Sequence, residues 1–491
     1  MARSAHHARL LAASRALPWL AALVVLGMAW LARGYTADDA FIPGRYALRI
    51  VEGHGYTFRD GPATDGVTGP LLLAPEIVAA AAGVDPVEAA KGIGALSAAL
   101  AIGLVVWRVR RRARGTVGAA FVVLALLGAG AFSMHAQSGL ETGLATLVVT
   151  IAGLGATSRA PGTRPLAQIA VVLGLLLVPW LRPELVPVSW AIAMLWAQRE
   201  PATSRSRAAV AAGLAAVVGL GSVVAFRIVL FGQAIPLSAQ AKPTDLGNGL
   251  GYTLVALAVL FGLVLVPSLH AVRTSRDDGL LGLALVVSLG TVILGGGDWM
   301  PGGRLLVPLA PLTLLLAGTG FGRFVGTHRR PVLIGSLGLL AIVPQLALTV
   351  LVVAQADEVA RSRAHAGQEL RTVLARESRV VALVDVGFLS YRAPWQPFDL
   401  AGVTDPDVGG RPGAHCAKPV TLDDLLAREV DTIVLHSGVE PQVSDGSITA
   451  MRGHPVEQAL ASDPRVRELF EVIGVLRYAS GYYYVVLRRR A

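Results

Sequence analysis

Two adjacent carboxylates, Asp38 and Asp39, follow the first apolar run of the chain and begin a polar loop. Like charges side by side repel each other and are strongly hydrated, so packing alone gives little reason for the pair. A carboxylate held at a membrane surface can take a proton from a hydroxyl group as a general base, or can hold a cation. The structural alternative is a pair of N-cap carboxylates for a helix that starts near Ala40. The pair therefore predicts base chemistry, a helix cap, or one role for each residue.

Three further ionisable residues, Glu141, Arg182 and Glu184, lie in the polar loops SGLETG and LRPE between apolar runs. The helix dipole favours a glutamate at a helix start, so Glu141 fits a structural role as well as a binding role. Arg182 and Glu184 flank a proline at a sharp corner, where an Arg–Glu pair can stabilise the turn. All three stay candidates for substrate contacts.

Cations that can hold a phosphate group lie in two more polar loops. Lys242 ends FGQAIPLSAQAK, and Arg304 ends the glycine-rich loop GGGDWMPGGR. A pyrophosphate or phosphodiester leaving group needs such cations. Snorkelling toward the membrane interface is the plainer account of Arg304, but it does not explain Asp298 and Trp299 in the same loop. An acid, an aromatic ring and an arginine together predict binding of a sugar-phosphate head group.

The composition predicts a membrane protein. Of the 491 residues, 54% are hydrophobic and 15% are charged, whereas about a quarter of a soluble domain is charged. The net charge of +10 comes from arginines clustered between apolar runs, which is typical of topology signals and excludes a nucleic-acid partner.

The single cysteine, Cys416, excludes an intramolecular disulfide. Clusters of histidine and cysteine at zinc spacing are absent, so no metal site is predicted, although a divalent cation on the acidic pair stays open.

About eleven apolar runs of roughly 15–25 residues predict a polytopic α-helical protein. They lie near 17–33, 92–107, 116–134, 140–157, 166–181, 184–198, 207–231, 249–268, 279–295, 304–324 and 331–354. Basic loops alternate with the polar loops described above. The positive-inside rule places every basic loop in the cytoplasm only if the segment 70–83, PLLLAPEIVAAAAG, is a short re-entrant or juxtamembrane helix. We therefore expect all five polar loops on the outer face of a bacterial cytoplasmic membrane.

Charged residues become common after about residue 356, and the pattern there predicts a soluble α/β domain. The segments RVVALVDVG, TIVLHS and YYYVVLRRR are typical of strands, and helices are expected at 357–376, 421–429 and 455–462. The predicted domains are thus a transmembrane catalytic domain, 1–356, whose outer loop 34–87 carries the acidic pair, and an extracytoplasmic α/β domain, 357–491. The second is a candidate carbohydrate-binding domain.

The order of these motifs resembles a known family. DDAFIPGRYALRIVEGHGYTFRDG, TGPLLL, SGLET, LRPE, FGQAIPLSAQAK, GGDWMPGGR and DVGFLSYRAPWQPFDLAGVTDP are similar to the GT-C arabinofuranosyltransferases, most of all the terminal arabinofuranosyltransferase of mycobacterial cell-wall arabinan. The similarity covers most of the chain. The stretch FRDGPATDGVTGPLL departs from the family pattern, which leaves the sugar open.

The resemblance implies a GT-C fold and an inverting transfer at the outer membrane face, from a polyprenyl-phosphate-linked sugar to an envelope glycan. Asp38 and Asp39 match the family's acidic pair, and we expect one of them to be the base. The other positions that match family motifs, and that the resemblance implies in substrate or phosphate binding, are Arg45, Tyr46, Glu141, Arg182, Glu184, Lys242, Asp298, Trp299 and Arg304. The polyprenyl-phosphate sugar is the expected donor substrate, and a divalent cation is the one cofactor that stays open.

Two other functions compete with this hypothesis. A transporter or flippase of a lipid-linked sugar places ionisable groups near the bilayer midplane, whereas here the acids and lysine lie in loops and the apolar runs are nearly uncharged. A non-catalytic regulator of envelope assembly has no need of Asp38, Lys242 and Arg304 together. An enzyme is therefore the favoured prediction.

Overall fold

The computed structural model describes residues 2–112, 115–158, 164–240, 245–300, 302–327, 343–479 and 481–490. The chain divides into two compact units. Unit 1 comprises Met1–Arg33, Ala90–Val223 and Thr244–Ala356, and unit 2 comprises Gly34–Ala89, Val224–Pro243 and Asp357–Ala491. Loop 34–87, which the sequence analysis assigned to the catalytic domain, thus packs with the C-terminal residues. The division into functional domains stays a prediction.

Helices carry the predicted apolar runs, and the chain is a polytopic membrane protein. The helices are Ala2–Leu31, Pro86–Arg110, Gly115–Ala125, Gly130–Ala136, Thr142–Ala156, Arg164–Leu181, Val186–Arg199, Ala202–Phe231, Leu246–Leu260, Leu265–Thr274, Arg276–Leu294, Ala310–Thr327 and Val343–Ser362. Among the described residues, six helices are long and apolar enough to cross a membrane, or up to eight if each of two bent pairs is one span. Thr142–Ala156 rises only about 22 Å against a hydrocarbon core of about 30 Å, which explains why fewer spans qualify than the eleven runs predict. Of the last predicted run, 331–342 lie outside the described residues.

Two runs predicted as single helices are broken. Gly115–Gly128 and Gly130–Ala136 meet at 75°, and Leu246–Leu260 and Leu265–Thr274 meet at 96°. At the first break the amide of Gly130 donates to the hydroxyl of Thr349 at 3.1 Å, which replaces a backbone partner. A Cβ on Gly128 would lie 2.4 Å from the Cβ of Gln345, so glycine permits this close approach.

Unit 2 is built on a five-stranded mixed sheet. The strands are β1 (Val380–Leu383), β2 (Gln396–Asp399), β3 (Thr432–Ser437), β4 (Gln442–Ser444), β5 (Ser447–Ala450), β6 (Phe470–Ala479) and β7 (Tyr482–Arg489). The sheet order is β2-β1-β3-β7-β6, and β4 pairs with β5 as a separate hairpin. Strand β1 is parallel to β2 and β3, whereas β7 is antiparallel to β3 and β6. The predicted strands β1, β3 and β7 are confirmed; the sequence analysis missed the others.

Short helices surround the sheet. They are Phe41–Val51, Pro70–Ala81, Leu237–Gln240, Arg363–Gly367 (a π-helical turn), Gln368–Glu377, Val386–Ser390, Pro406–Gly409, Leu422–Ala427, Pro455–Ser462 and Pro464–Leu469. The helices predicted near 357–376, 421–429 and 455–462 are confirmed. Pro70–Ala81 has 12 residues, or about 18 Å, and is too short to span a membrane, as expected.

The loop that carries the acidic pair shares a hydrophobic core with the sheet. Ile42, Tyr46 and Phe58 are buried in one cluster with Val381 of β1 and Val434 of β3. Burial of large apolar side chains is the main source of stability in such a core. The sheet therefore fixes the position of the loop within unit 2.

Candidate functional site

The carboxylate of Asp38 is held by two backbone amides of the C-terminal part of unit 2. Asp38 and Asp39 lie in a 3-10 turn, Asp38–Ala40, which leads into the helix Phe41–Val51. The amide of Gly387 donates to Oδ2 of Asp38 at 3.0 Å, and the amide of Phe388 donates to Oδ1 at 3.0 Å. A Cβ on Gly387 would lie 2.1 Å from the carbonyl oxygen of Asp38, so only glycine fits here. The acidic pair is thus anchored by residues about 350 positions later in the chain.

Two charged groups from the C-terminal part of unit 2, Asp385 and Arg363, lie near Asp38. Burial and the neighbouring carboxylate of Asp385 raise the pKa of Asp38 to about 6, although Arg363 opposes them. The Nη2 atom of Arg363 lies 3.8 Å from Oδ1 of Asp38. Asp385 accepts hydrogen bonds from the hydroxyls of Tyr482 and, at 2.9 Å, Tyr484. Asp38 is therefore a carboxylate poised to change its charge near neutral pH.

Asp39 follows Asp38 in the same 3-10 turn. Successive side chains of a 3-10 turn are about 120° apart, since the turn has three residues. Asp39 is half-buried, and it is the member of the pair whose carboxylate the two amides do not hold. The two acids that the sequence treated alike therefore occupy different environments.

Arg45 and Tyr46, which we predicted to bind substrate, are buried within unit 2. The guanidinium of Arg45 donates to backbone carbonyls of Phe58 at 2.8 Å, Ser390, and Trp395 at 3.4 Å. The hydroxyl of Tyr46 lies 2.6 Å from that of Thr64. The contacts of Arg45 with Ser390 and Trp395 join the loop to the segment between β1 and β2, and the contacts give both residues a structural role; a binding role stays a prediction.

The tyrosines of β6 and β7 also serve packing. Tyr478, Tyr482 and Tyr484 contact one another with ring centroids 5.3–5.6 Å apart, and two of the three pairs are edge to face. Rings packed in this way, with two hydroxyls on Asp385, account for these residues without a carbohydrate. Sugar binding by the C-terminal domain stays a prediction.

Unit 1 brings together Arg182, Glu184 and Glu141. The Nη2 atom of Arg182 lies 2.6 Å from Oε1 of Glu184, and Nη1 lies 3.6 Å from Oε1 of Glu141. The same Nη1 donates to the hydroxyl of Thr142 at 3.0 Å. The Arg182 side chain is 3% exposed, so this is a buried network and not a surface pair. It is the turn-stabilising pair that the sequence offered as the plainer alternative.

The glycine-rich loop supplies a second pair in unit 1. Arg304 donates from Nε to Oδ2 of Asp298 at 2.7 Å, and both side chains are buried. Gly303 has φ of +81°, and a Cβ there would lie 2.7 Å from the Cβ of Ala256, so the turn requires glycine. Trp299 is 60% exposed beside this pair.

The two pairs are neighbours. Arg304 exerts a coulombic effect on both Arg182 and Glu184. With Glu141 and Asp298, the cluster holds three carboxylates and two guanidinium groups, so its formal charge is −1. Five of the predicted binding residues therefore lie together, but both arginines already have carboxylate partners. Lys242 lies outside the described residues.

One group of side chains in the described part of the chain has the spacing of a metal site. His436, His454 and Glu457 have potential ligand atoms within 4.8 Å of one another. The backbone amides of His436 and His454 donate to Glu457 at 2.7 and 2.8 Å, and His454 caps the helix that follows. A capping box accounts for this group, and a helix N-terminus disfavours a cation.

Comparisons with known proteins give the fold. Two structures of ArnT from Cupriavidus metallidurans cover almost the whole chain. The one bound to undecaprenyl phosphate has 15% identity and a TM-score of 0.54, and covers 95% of this chain and 96% of that chain. The apo structure has 14% identity and a TM-score of 0.57, and covers 99% and 98%. The chain has the fold of ArnT.

That similarity confirms the predicted GT-C fold of a polytopic membrane protein with a C-terminal domain. It does not single out the arabinofuranosyltransferases. A family model described as "Domain of unknown function (DUF8728)" matches residues 354–486, which include β1 to β7 up to Val486. No curated protein sequence matches the chain.

Sequence reasoning missed three residues that contact Asp38. Arg363, Gly387 and Phe388 all lie in the C-terminal part of unit 2. The segment DVGFLSY was part of the family resemblance, and its glycine was the available signal. The pairing of this segment with the loop depends on tertiary packing, which no local pattern encodes.

Proposed function

We propose that the chain is an inverting glycosyltransferase that moves a sugar from a polyprenyl-phosphate donor to a hydroxyl of a cell-envelope glycan. The observation that carries this proposal is an anchored acidic pair in a fold shared with ArnT, one of whose structures holds undecaprenyl phosphate. The motif resemblance supports arabinofuranose or a similar pentose. The distribution of arginines supports an active site and a C-terminal domain on the extracytoplasmic face of a bacterial cytoplasmic membrane.

The acceptor hydroxyl is the nucleophile, and Asp39 is its general base. The carboxylate of Asp39 takes the hydroxyl proton while the oxygen attacks the anomeric carbon from the face opposite the phosphate. The bond from that carbon to the phosphate oxygen breaks, and polyprenyl phosphate leaves. A placed base contributes about 10²–10⁴-fold to such a step. We assign Asp39 because the carboxylate of Asp38 is already held by two amides.

The leaving phosphate gains negative charge as the bond breaks, so it needs cations. Arg182, Arg304 and Lys242 are the candidates. The described cluster has a formal charge of −1, so a phosphate requires either Lys242 or the release of a carboxylate from one arginine. Release from Asp298 is the simpler change, because Arg182 contacts two carboxylates, Glu184 and Glu141.

A transfer assay with the purified full-length protein tests the proposal. The probes are a synthetic polyprenyl-phosphate arabinofuranose donor and an arabinofuranosyl oligosaccharide acceptor, with a pentopyranose donor as comparison. We expect transfer by the wild type, loss of transfer in Asp39→Asn, and full transfer in Asp423→Asn, whose side chain is 75% exposed. Undiminished transfer by Asp39→Asn would remove the proposed base.

A flippase of a lipid-linked sugar is the second candidate, and one observation favours it. The network of Arg182, Glu184 and Arg304 is buried among helices, as transporters place their ionisable groups. Movement of the labelled donor across vesicles without formation of product would support the flippase. Product formed from donor supplied to one face only would support the enzyme.

A further inference from the structure

The anchored Asp38 and the adjacent Asp39 divide the work of the acidic pair. We propose that Asp38 is a positioning residue, through which the C-terminal domain docks the turn that carries the base, and that Asp385 and Arg363 tune this contact. The statement rests on the proposed function for its catalytic part. The docking itself stands on geometry alone.

Both oxygens of Asp38 are used in docking. Each accepts one amide at 3.0 Å, from Gly387 and Phe388, and the side chain is 27% exposed. An ionised carboxylate accepts such bonds more strongly than a neutral acid, which keeps a proton on one oxygen. Protonation of Asp38 therefore weakens these two bonds, whereas burial and Asp385 favour the neutral acid, so the charge state of Asp38 is linked to how the turn that carries Asp39 is held.

Titratable and charged side chains from several elements lie near Asp38 and affect its charge. Asp39 shares its turn, Arg363 lies on the π-helical turn, and Asp385 follows β1. Tyr478 of β6 and Tyr482 and Tyr484 of β7 complete the surroundings. Arg363 also donates to the carbonyl of Thr36 at 2.6 Å, so it contacts the chain on the N-terminal side of the pair as well.

The surroundings predict opposite effects for two charge changes. Asp385→Asn removes a negative neighbour and lowers the pKa of Asp38, so the acid limb of the pH–activity profile moves to lower pH. Arg363→Met removes a positive neighbour and moves the limb to higher pH. Arg363→Lys keeps the charge and restores the limb toward its original position. A nearby charge shifts the pKa of a carboxyl group by about 1–3 pH units. We expect each substitution to move the midpoint of the acid limb by about 0.5 pH unit or more, because Asp38 is partly exposed.

Hydrogen exchange measures docking without any substrate. The amides of Gly387 and Phe388 are the reporters, in a peptide that covers residues 384–392. We expect exchange of this peptide to be at least about tenfold faster in Asp38→Asn than in the wild type, because an amide group cannot accept both bonds. Asp39→Asn should leave the exchange unchanged. Similar exchange in Asp38→Asn and the wild type would overturn the docking.

A substitution that creates a steric clash at Gly387 tests the docking independently, and Gly474 offers a matched control. Gly387→Ala places a methyl group 2.1 Å from the backbone of Asp38, whereas a Cβ on Gly474 of β6 meets nothing within 4 Å. Gly387→Ala should reproduce the faster exchange of Asp38→Asn, and Gly474→Ala should match the wild type. Retained protection in Gly387→Ala would contradict the geometry, provided that its melting temperature matches that of the control.

The pH profile then decides the catalytic part of the proposal. In the Asp38→Asn background, neither Asp385→Asn nor Arg363→Met should move the acid limb. Shifts that persist in that background, or that have the same sign in the two single variants, would overturn the role of Asp38. Arg379→Met, with a side chain 92% exposed, is the arginine control. A wild type that transfers no sugar refutes the proposed function, while the exchange experiment still decides the docking.

Discussion

The carboxylate of Asp65 and the guanidinium of Arg227 form a buried ion pair within unit 2. Oδ2 of Asp65 lies 3.0 Å from Nε of Arg227, and the side chains are 0% and 2% exposed. The Nη2 atom of Arg227 also donates to the carbonyl of Thr68 at 2.9 Å. The pair joins the loop 34–89 to the segment 224–243.

Unit 2 should lose stability as pH rises toward neutrality. Burial, only partly offset by Arg227, raises the pKa of Asp65 to about 6. Between its unfolded pKa of about 4 and pH 6 the folded state holds more protons than the unfolded state, so stability falls by about 1–3 kcal/mol as pH rises through this range. Asp65→Asn removes the contribution of this carboxyl group and should reduce the slope in melting experiments between pH 4 and 7. An unchanged slope would contradict the assignment.

Asp39→Asn and Asp38→Asn should differ in degree. Loss of a general base lowers turnover by about 10²–10⁴-fold, so Asp39→Asn should reach that range. Asp38→Asn keeps the base and weakens docking, so we expect a smaller loss, about 10-fold, with the largest effect above pH 6, where the wild-type Asp38 is ionised. Initial rates at saturating donor measure both. Equal losses in the two variants would indicate that the acids act as one unit.

The effects of substituting Arg304 and Asp298 on stability should depend on each other, whereas the effect of Arg304 on donor binding should persist when both are substituted. Removal of one partner of a buried pair costs about 3–5 kcal/mol, whereas removal of both is nearly neutral. Arg304→Met should therefore destabilise the protein, and Asp298→Asn combined with Arg304→Met should restore most of the melting temperature. If Arg304 holds the phosphate, the double variant still shows a raised KM for donor. A normal KM in a stable double variant would exclude Arg304 from phosphate binding.

Trp299 should affect binding without affecting stability. Its side chain is 60% exposed, so Trp299→Ala removes little buried surface. Contact of its ring with a sugar is worth about 1–1.5 kcal/mol, which corresponds to a rise in KM of about 5–12-fold. Trp299→Phe should keep much of the effect. A similar KM in all three proteins would leave Trp299 a membrane-interface residue.

Asp399→Asn should destabilise the sheet of unit 2 by about 2–4 kcal/mol. The carboxylate accepts the amides of Ala401, Gly402 and Thr404 at 2.8, 3.0 and 2.7 Å, and its Oδ2 also accepts the Thr404 hydroxyl. In the Asn variant the side-chain NH₂ group would face backbone N–H groups, so two hydrogen-bond donors would oppose each other. Thermal melting compared with Asp423→Asn measures the difference; a variant as stable as that control would contradict it.

The sequence anticipated the elements whose pattern is local. The apolar runs lie on helices, and TIVLHS and YYYVVLRRR form adjacent strands, β3 and β7. The sequence did not reveal the breaks near Gly130 and Gly262, because a break of this kind depends on partners such as Thr349 from distant helices. Nor did it predict β2, whose four residues include a proline.

Hydropathy, strand patterning and adjacency are properties of neighbouring residues, so local patterns are enough to predict a membrane protein with a C-terminal α/β domain and an acidic pair after its first helix. The folded structure was needed to show that the amides of Gly387 and Phe388 hold Asp38 and that Arg45 donates to backbone carbonyls. It also decided that Arg182 and Arg304 already have carboxylate partners. Such pairings join groups far apart in the chain, and their geometry is set by packing, which no single stretch of sequence contains.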